Sequence, residues 1–234
     1  MTLPEPSRRQ DLAANLAEVE QRLTAAAHAA GRPRSALTLI AVSKTWPLAD
    51  LVVMRELGIG EFGENRDQEA SQKAAALPQV RWHFVGAVQS NKAASVAGYA
   101  DMVHSVDRGS LVTALSRAAT AAGRSIGVLL QVSLDGDTAR GGALPAVLPA
   151  LALAAATAPD LHLAGVMAVA PREADPARAF AELARLSAEL VREHPQATVI
   201  SAGMTGDLEQ AVAAGATHLR VGSALFGHRA PVFR

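Results

Sequence analysis

Short apolar runs alternate along this chain with longer stretches whose apolar residues recur every three to four positions. The runs read as strands and the stretches as amphipathic helices. A leading helix is expected over residues 11–30, with Leu12, Leu16, Val19 and Leu23 on one stripe and Gly31 and Pro33 ending it. Strands are expected at 37–43, 59–62, 82–85, 102–106, 126–132, 163–169, 198–201 and 218–221. Helices are expected near 48–57, 65–76, 90–98, 110–122, 146–156, 176–193 and 207–214. Eight strands alternating with helices and no long linker predict an α/β fold, a single (β/α)8 TIM-type barrel over residues 1–234 with an extra N-terminal helix. An open doubly wound sheet competes but normally uses fewer strands.

Composition narrows the chemistry. Half of the 234 residues are hydrophobic and 19% are charged, so a large core can form. Aromatics are only 3%, which leaves Ala, Leu and Val to build it. Lys plus Arg equals Asp plus Glu at 22 each, giving no basic field for nucleic acid or an acidic membrane. With no cysteine, disulfides, thiolate nucleophiles and Cys-ligated metals are excluded. The seven histidines show no ligand spacing, so no metal is expected. The polar first ten residues do not lead into a signal-type segment, and the Ala/Leu-rich stretch at 143–158 is too short and proline-broken to span a bilayer. A cytoplasmic location is expected.

Period-two alternation places Thr38, Ile40, Val42 and Lys44 on one face of the first strand. If that face lines the barrel, Lys44 reaches the mouth at the carboxyl end, where barrel active sites sit. Partial desolvation there would favour the neutral amine, which attacks aldehydes; an ordinary solvated lysine fits the same pattern. On the last strand, His218, Arg220 and Gly222 share one face and Leu219 and Val221 the other, so Arg220 is expected inside. It would hold a ligand or form a structural ion pair. Gly222-Ser223 and the turn from Ser201 to Gly206 follow the last two strands, the habitual phosphate position of such barrels. An amine and a phosphate cradle suit pyridoxal 5'-phosphate (PLP), which carries an aldehyde and a phosphate on one ring.

Other motifs are weaker. Asn65 could bond a ligand or cap the following helix. His83 could touch a ligand or sit satisfied in the core. Gly58, Gly60 and Gly63 match G-x-G-x-x-G spacing but follow a helix rather than a strand, so no dinucleotide site is expected. Asp135-Gly136-Asp137 reads as a plain turn.

Taken together, Ala41-Val42-Ser43-Lys44, Phe62-Gly63-Glu64-Asn65, Trp82-His83-Phe84-Val85-Gly86, Gln89-Ser90-Asn91-Lys92, Gly165-Val166-Met167-Ala168, Ser201-Ala202-Gly203-Met204-Thr205 and Arg220 through Gly227 resemble the YggS/PROSC family, the PLP homeostasis proteins. The resemblance spans nearly the whole chain in family order. Ala87-Val88 and Ala202 depart mildly from the usual residues. It implies a barrel like the N-terminal domain of alanine racemase, with Lys44 as the Schiff-base lysine. It also implies Ser201, Gly222 and Ser223 around the phosphate, Arg220 facing the pyridine nitrogen, and Asn65, His83 and Met204 near the ring.

The expected function is a PLP-binding protein of intracellular PLP homeostasis without strong catalysis. Amino acids and PLP-dependent apoenzymes are its possible partners, and a monomer is expected. An arginine at the pyridine nitrogen makes the ring a poorer electron sink. Similar racemases use the lysine and a tyrosine from a second domain and a partner subunit. The single tyrosine here, Tyr99, precedes the fourth strand, at the end away from the site, and the sequence ends at Arg234 without such a domain. A racemase-like enzyme is the alternative function, and a Schiff-base aldolase acting on a sugar phosphate a weaker third.

Overall fold

The computed structural model describes residues 6–227; the first five residues of the polar opening segment lie outside them. Eight parallel strands close into a barrel in sequence order. They are β1 Thr38–Val42, β2 Glu61–Glu64, β3 Arg81–Phe84, β4 Met102–Val106, β5 Ile126–Gln131, β6 Leu161–Met167, β7 Val199–Ser201 and β8 His218–Val221. The crossovers carry α2 Leu48–Glu56, α3 Asp67–Ala76, α4 Ala93–Tyr99, α5 Gly109–Ala122, α6 Leu148–Thr157, α7 Pro176–Glu193 and α8 Leu208–Ala213. A leading helix, α1 Pro6–Ala29, precedes them, and a four-residue helix, α9 Ser223–Phe226, follows β8. This is the (β/α)8 architecture that the alternation predicts.

Closure comes from β8 pairing with β1, which sets Ile40 opposite Arg220 and Ala41 opposite Val221. Leu39, Ala41, Leu219 and Val221 join the apolar layer between sheet and helices. The opposite phase therefore carries Ile40 and Arg220 into the barrel, as the two-residue period requires. A second apolar cluster of Met102, Leu129, Ala164 and Met167 packs apart from that layer.

Boundaries shift by a few residues. β2 occupies 61–64 rather than 59–62, because its ladder with β3 runs from Glu61–Arg81 to Glu64–Phe84 and takes in a glycine and a glutamate that read locally as loop. β6 starts two residues early, and α4 is preceded by a 3-10 turn at Ser90–Lys92. Helix α1 has a structural task that its periodicity does not announce. Asn15 Nδ2 donates to the Leu225 carbonyl at 3.0 Å, Arg8 Nη2 to that of Phe226 at 2.9 Å, and Arg22 Nη2 to that of Thr205 at 2.9 Å. It thus clamps the segments that follow β7 and β8. No helix among the described residues is long and apolar enough to cross a membrane.

Candidate functional site

Because all eight strands run parallel, their carboxyl ends share one rim. Lys44 after β1, Asn65 after β2, Met204 after β7 and Gly222-Ser223 after β8 therefore stand on that rim together. A Cβ built on Gly63 would lie 3.0 Å from Ile40 Cγ2 and 3.4 Å from Val42 Cγ2, so both side chains project inward. Lys44 follows in the turn after β1, and the β1–β8 register, carried one step on, sets Val42 beside Gly222, where an added Cβ would approach the Val42 carbonyl to 3.2 Å.

One expectation is corrected: Lys44 is exposed rather than partly desolvated. The physical reason is that β1 stops at Val42, and Lys44 with Thr45 forms a turn beyond the packed layers. That turn is braced from behind. Lys73 Nζ donates to the Ser43 carbonyl at 2.8 Å, to Glu64 Oε1 at 2.7 Å and to Glu69 Oε1 at 2.6 Å. Ser43 Oγ donates to Glu64 at 2.7 Å, and the Thr45 amide, at a left-handed φ of 70°, donates to Glu69 at 2.5 Å. The backbone on both sides of Lys44 is thus held. Burial pushes the Glu64 carboxyl above its usual range, against the opposing pull of Lys73 and Ser43.

Arg220 lies just below the rim and is 5% exposed. Its Nη1 donates to Ser201 Oγ at 2.7 Å and its Nη2 to the Ala168 carbonyl at 3.0 Å. No carboxylate is in hydrogen-bond contact with it among the described residues, so the structural ion pair is not what holds it. Desolvation lowers its pKa to about 10, with Asp207 opposing, and it stays charged at neutral pH. Three of its five N–H donors remain after these two bonds.

Asn65 does not cap α3: Arg66 holds the N-cap position, and Asn65 Oδ1 is buried without a partner among the described residues. A Cβ at Gly86 would come within 2.3 Å of the Asn65 carbonyl, so only glycine lets the β3 loop pack against it. Gly203 is equally constrained, with a φ of 87° and a Cβ position 2.6 Å from Ala211 Cβ. There the chain turns to present Met204, whose amide donates to Asp207 at 2.6 Å and whose side chain is exposed. Ser223 Oγ meets Thr205 Oγ1 at 3.2 Å, joining the β7 and β8 loops, and opening amides of a helix have no intrahelical acceptor.

His83 is buried on β3. Its Nε2 is 2.5 Å from Glu61 Oε2 and its Nδ1 is 2.9 Å from His104 Nε2. His104 Nδ1 in turn lies 2.9 Å from Ser201 Oγ. Sequence reasoning missed His104, Glu61 and the Lys73 brace. The signal for His104 was its shared strand phase with Met102; for the brace there was none. Asp135 and Asp137 serve a turn, accepting from the Asp137 and Ala139 amides respectively.

The chain matches the family described as alanine racemase, N-terminal domain, over residues 10–230. The pyridoxal phosphate homeostasis protein of Pseudomonas aeruginosa is 41% identical, covering 93% of this chain and 96% of its own. That of Mycobacterium tuberculosis (strain H37Rv) is 40% identical, covering 96% and 95%. PipY of Synechococcus elongatus PCC7942, in a structure with PLP bound, superposes with a TM-score of 0.79 at 37% identity, covering 92% of this chain and all of that one. The chain belongs to the pyridoxal phosphate homeostasis protein family.

Proposed function

We propose that this chain binds PLP at the carboxyl rim, holds it as a Schiff base on Lys44, and serves intracellular PLP homeostasis as a store rather than a strong catalyst. The observation that carries this reading is the meeting of Lys44, the β7 and β8 loops and the buried guanidinium of Arg220 at one rim. The residues fit the group. Among the described residues Arg220 is buried without a carboxylate and the Asn65 Oδ1 is buried without a donor, two polar groups that a ligand would satisfy.

When bound, PLP supplies an aldehyde, an electron-withdrawing ring and a phosphate. Lys44 supplies the amine. Ser201, Gly222 and Ser223 would grip the phosphate, and Arg220, still protonated at neutral pH, would donate toward the pyridine nitrogen. Asn65 and Met204 would flank the ring, whereas His83 reaches the site only through His104 and Ser201. The exposure of Lys44 leaves the linkage open to water, amino acids and apoenzymes that need the cofactor. Tyr99 does not supply a second catalytic base: its hydroxyl lies 3.4 Å from Asp67 Oδ1 and burial raises its pKa.

The test is a PLP titration followed by borohydride reduction. Wild-type protein should develop a visible-absorbing imine and retain the cofactor covalently after reduction, and Lys44→Ala should do neither. A reduced adduct that survives in Lys44→Ala would overturn the assignment.

A further inference from the structure

A polar chain crosses the barrel interior beneath the rim. It runs from Arg220 Nη1 to Ser201 Oγ (2.7 Å), to His104 Nδ1 (2.9 Å), from His104 Nε2 to His83 Nδ1 (2.9 Å), and from His83 Nε2 to Glu61 Oε2 (2.5 Å). Its ends fix every proton between them, because a guanidinium only donates and a carboxylate only accepts. Ser201 therefore gives its O–H to His104 Nδ1, His104 gives Nε2–H to His83 Nδ1, and His83 gives Nε2–H to Glu61. Both imidazoles are neutral in this arrangement. Burial, and then the neighbouring His83, Arg220 and His218, hold the His104 pKa well below its usual value, so His104 has one donor and one acceptor to offer.

An anion at the rim changes this order. Ser201 has one hydroxyl proton, and if a phosphate oxygen takes it, His104 Nδ1 loses its donor. The chain is restored when His104 carries its proton on Nδ1, donates to Ser201 Oγ, and accepts at Nε2 from His83 Nδ1–H. His83 Nε2 must still be protonated, since otherwise its lone pair would face a carboxylate oxygen 2.5 Å away. His83 then holds two protons, one of them new. The entry is at the other end of the barrel, where the Glu61 side chain at the start of β2 is 25% exposed to solvent.

We propose that phosphate binding at Ser201 is coupled through His104 and His83 to uptake of one solvent proton at the His83–Glu61 pair, making anion and proton joint ligands of the barrel. The inference rests on the reading that Ser201 meets the PLP phosphate. Every element facing His83 is consistent with a cation there. Glu61 on β2 attracts it, and His104 on β4 is neutral. His218 on β8, 6.3 Å away between ring centroids, is kept neutral by burial with a pKa of about 4. Arg81 on β3 lies against Glu61 at 3.8 Å, and Arg220 is separated by Ser201 and His104. His162 on β6 turns to Gly127 instead. His104 and His83 are thus positioning residues, acting through Ser201.

The test is calorimetric titration of the full chain with PLP at about pH 7.5 in buffers of different ionisation enthalpy, which counts protons taken up on binding. Wild type should take up about one proton more than Glu61→Gln. A glutamine amide at position 61 can rotate to donate to His83 Nε2, reversing the chain without a new proton, so this variant should still bind. Wild-type affinity should also fall with rising pH more steeply than that of Glu61→Gln, by up to about tenfold per pH unit. Equal proton counts in wild type and a folded variant, with PLP bound in both, would overturn the coupling and leave the Schiff-base reading standing. Absence of any PLP complex in wild type would remove both. Unchanged uptake in Ser201→Ala would also overturn the coupling, because the relay would then not begin at that hydroxyl.

Discussion

Arg220 and Asn65 are incomplete in different ways. Among the described residues Arg220 has two hydrogen bonds but no counter-charge in contact, and Asn65 Oδ1 is buried with no donor within reach. A buried acceptor without a partner costs folding free energy, so its removal should not harm the empty protein. Asn65→Ala is expected to leave unfolding midpoints unchanged or slightly raised, within about 1 kcal/mol. Its PLP affinity should fall about tenfold, the worth of one good hydrogen bond. Denaturant melts and a PLP titration check the two halves separately. A large loss of stability would show that Asn65 holds the loop rather than the ligand.

At the scale of elements, β1, α3 and the turn between β1 and α2 act as one unit. The ammonium of Lys73, with its side chain 8% exposed, joins the carboxylates of Glu64 and Glu69 to the Ser43 carbonyl. Removing one partner of a buried ionic cluster strands the others. Lys73→Met should destabilise by about 3–5 kcal/mol, and adding Glu64→Gln should recover part of that loss. Urea unfolding of the single and double variants reads this directly, and additive losses would mean that the cluster is not coupled. What the sequence could and could not tell follows from distance along the chain. The β8 face split was legible because Leu219 and Val221 alternate with His218 and Arg220, whereas the turn that ends β1 at Val42 and leaves Lys44 exposed was not. The brace joins Ser43 to Glu64, 21 residues apart, and the relay joins His104 to Ser201, 97 apart. Such pairs leave no local period to read. The end of β2 was hidden for a similar reason: Gly63 and Glu64 have poor strand propensity and are extended because two neighbouring ladders hold them.

For the whole molecule, the consequence of a barrel interior lined with His83, His104, His218, Ser201 and Arg220 is sensitivity to acid. Burial first, and His83 next, hold the His218 pKa down to about 4, against an ordinary value of 6.5. Between those two values the unfolded chain binds the proton that the folded barrel refuses. Stability therefore rises with pH across that window and is lost as pH falls through it. The loss from His218 alone should reach about 3 kcal/mol by pH 4, with His104 adding to it in the same direction. Glu61, where burial is outweighed by the hydrogen bond from His83 and nearby positive charge including Arg81, is held below its usual range and adds a further loss as pH falls below 4.5. Urea midpoints measured from neutrality downward should thus decline well before most surface carboxylates titrate. His218→Gln should flatten the decline by roughly 3 kcal/mol. It should also keep PLP binding, since His218 opens β8 at the end opposite the rim. An unchanged slope in that variant would place the acid sensitivity elsewhere than in the buried imidazoles.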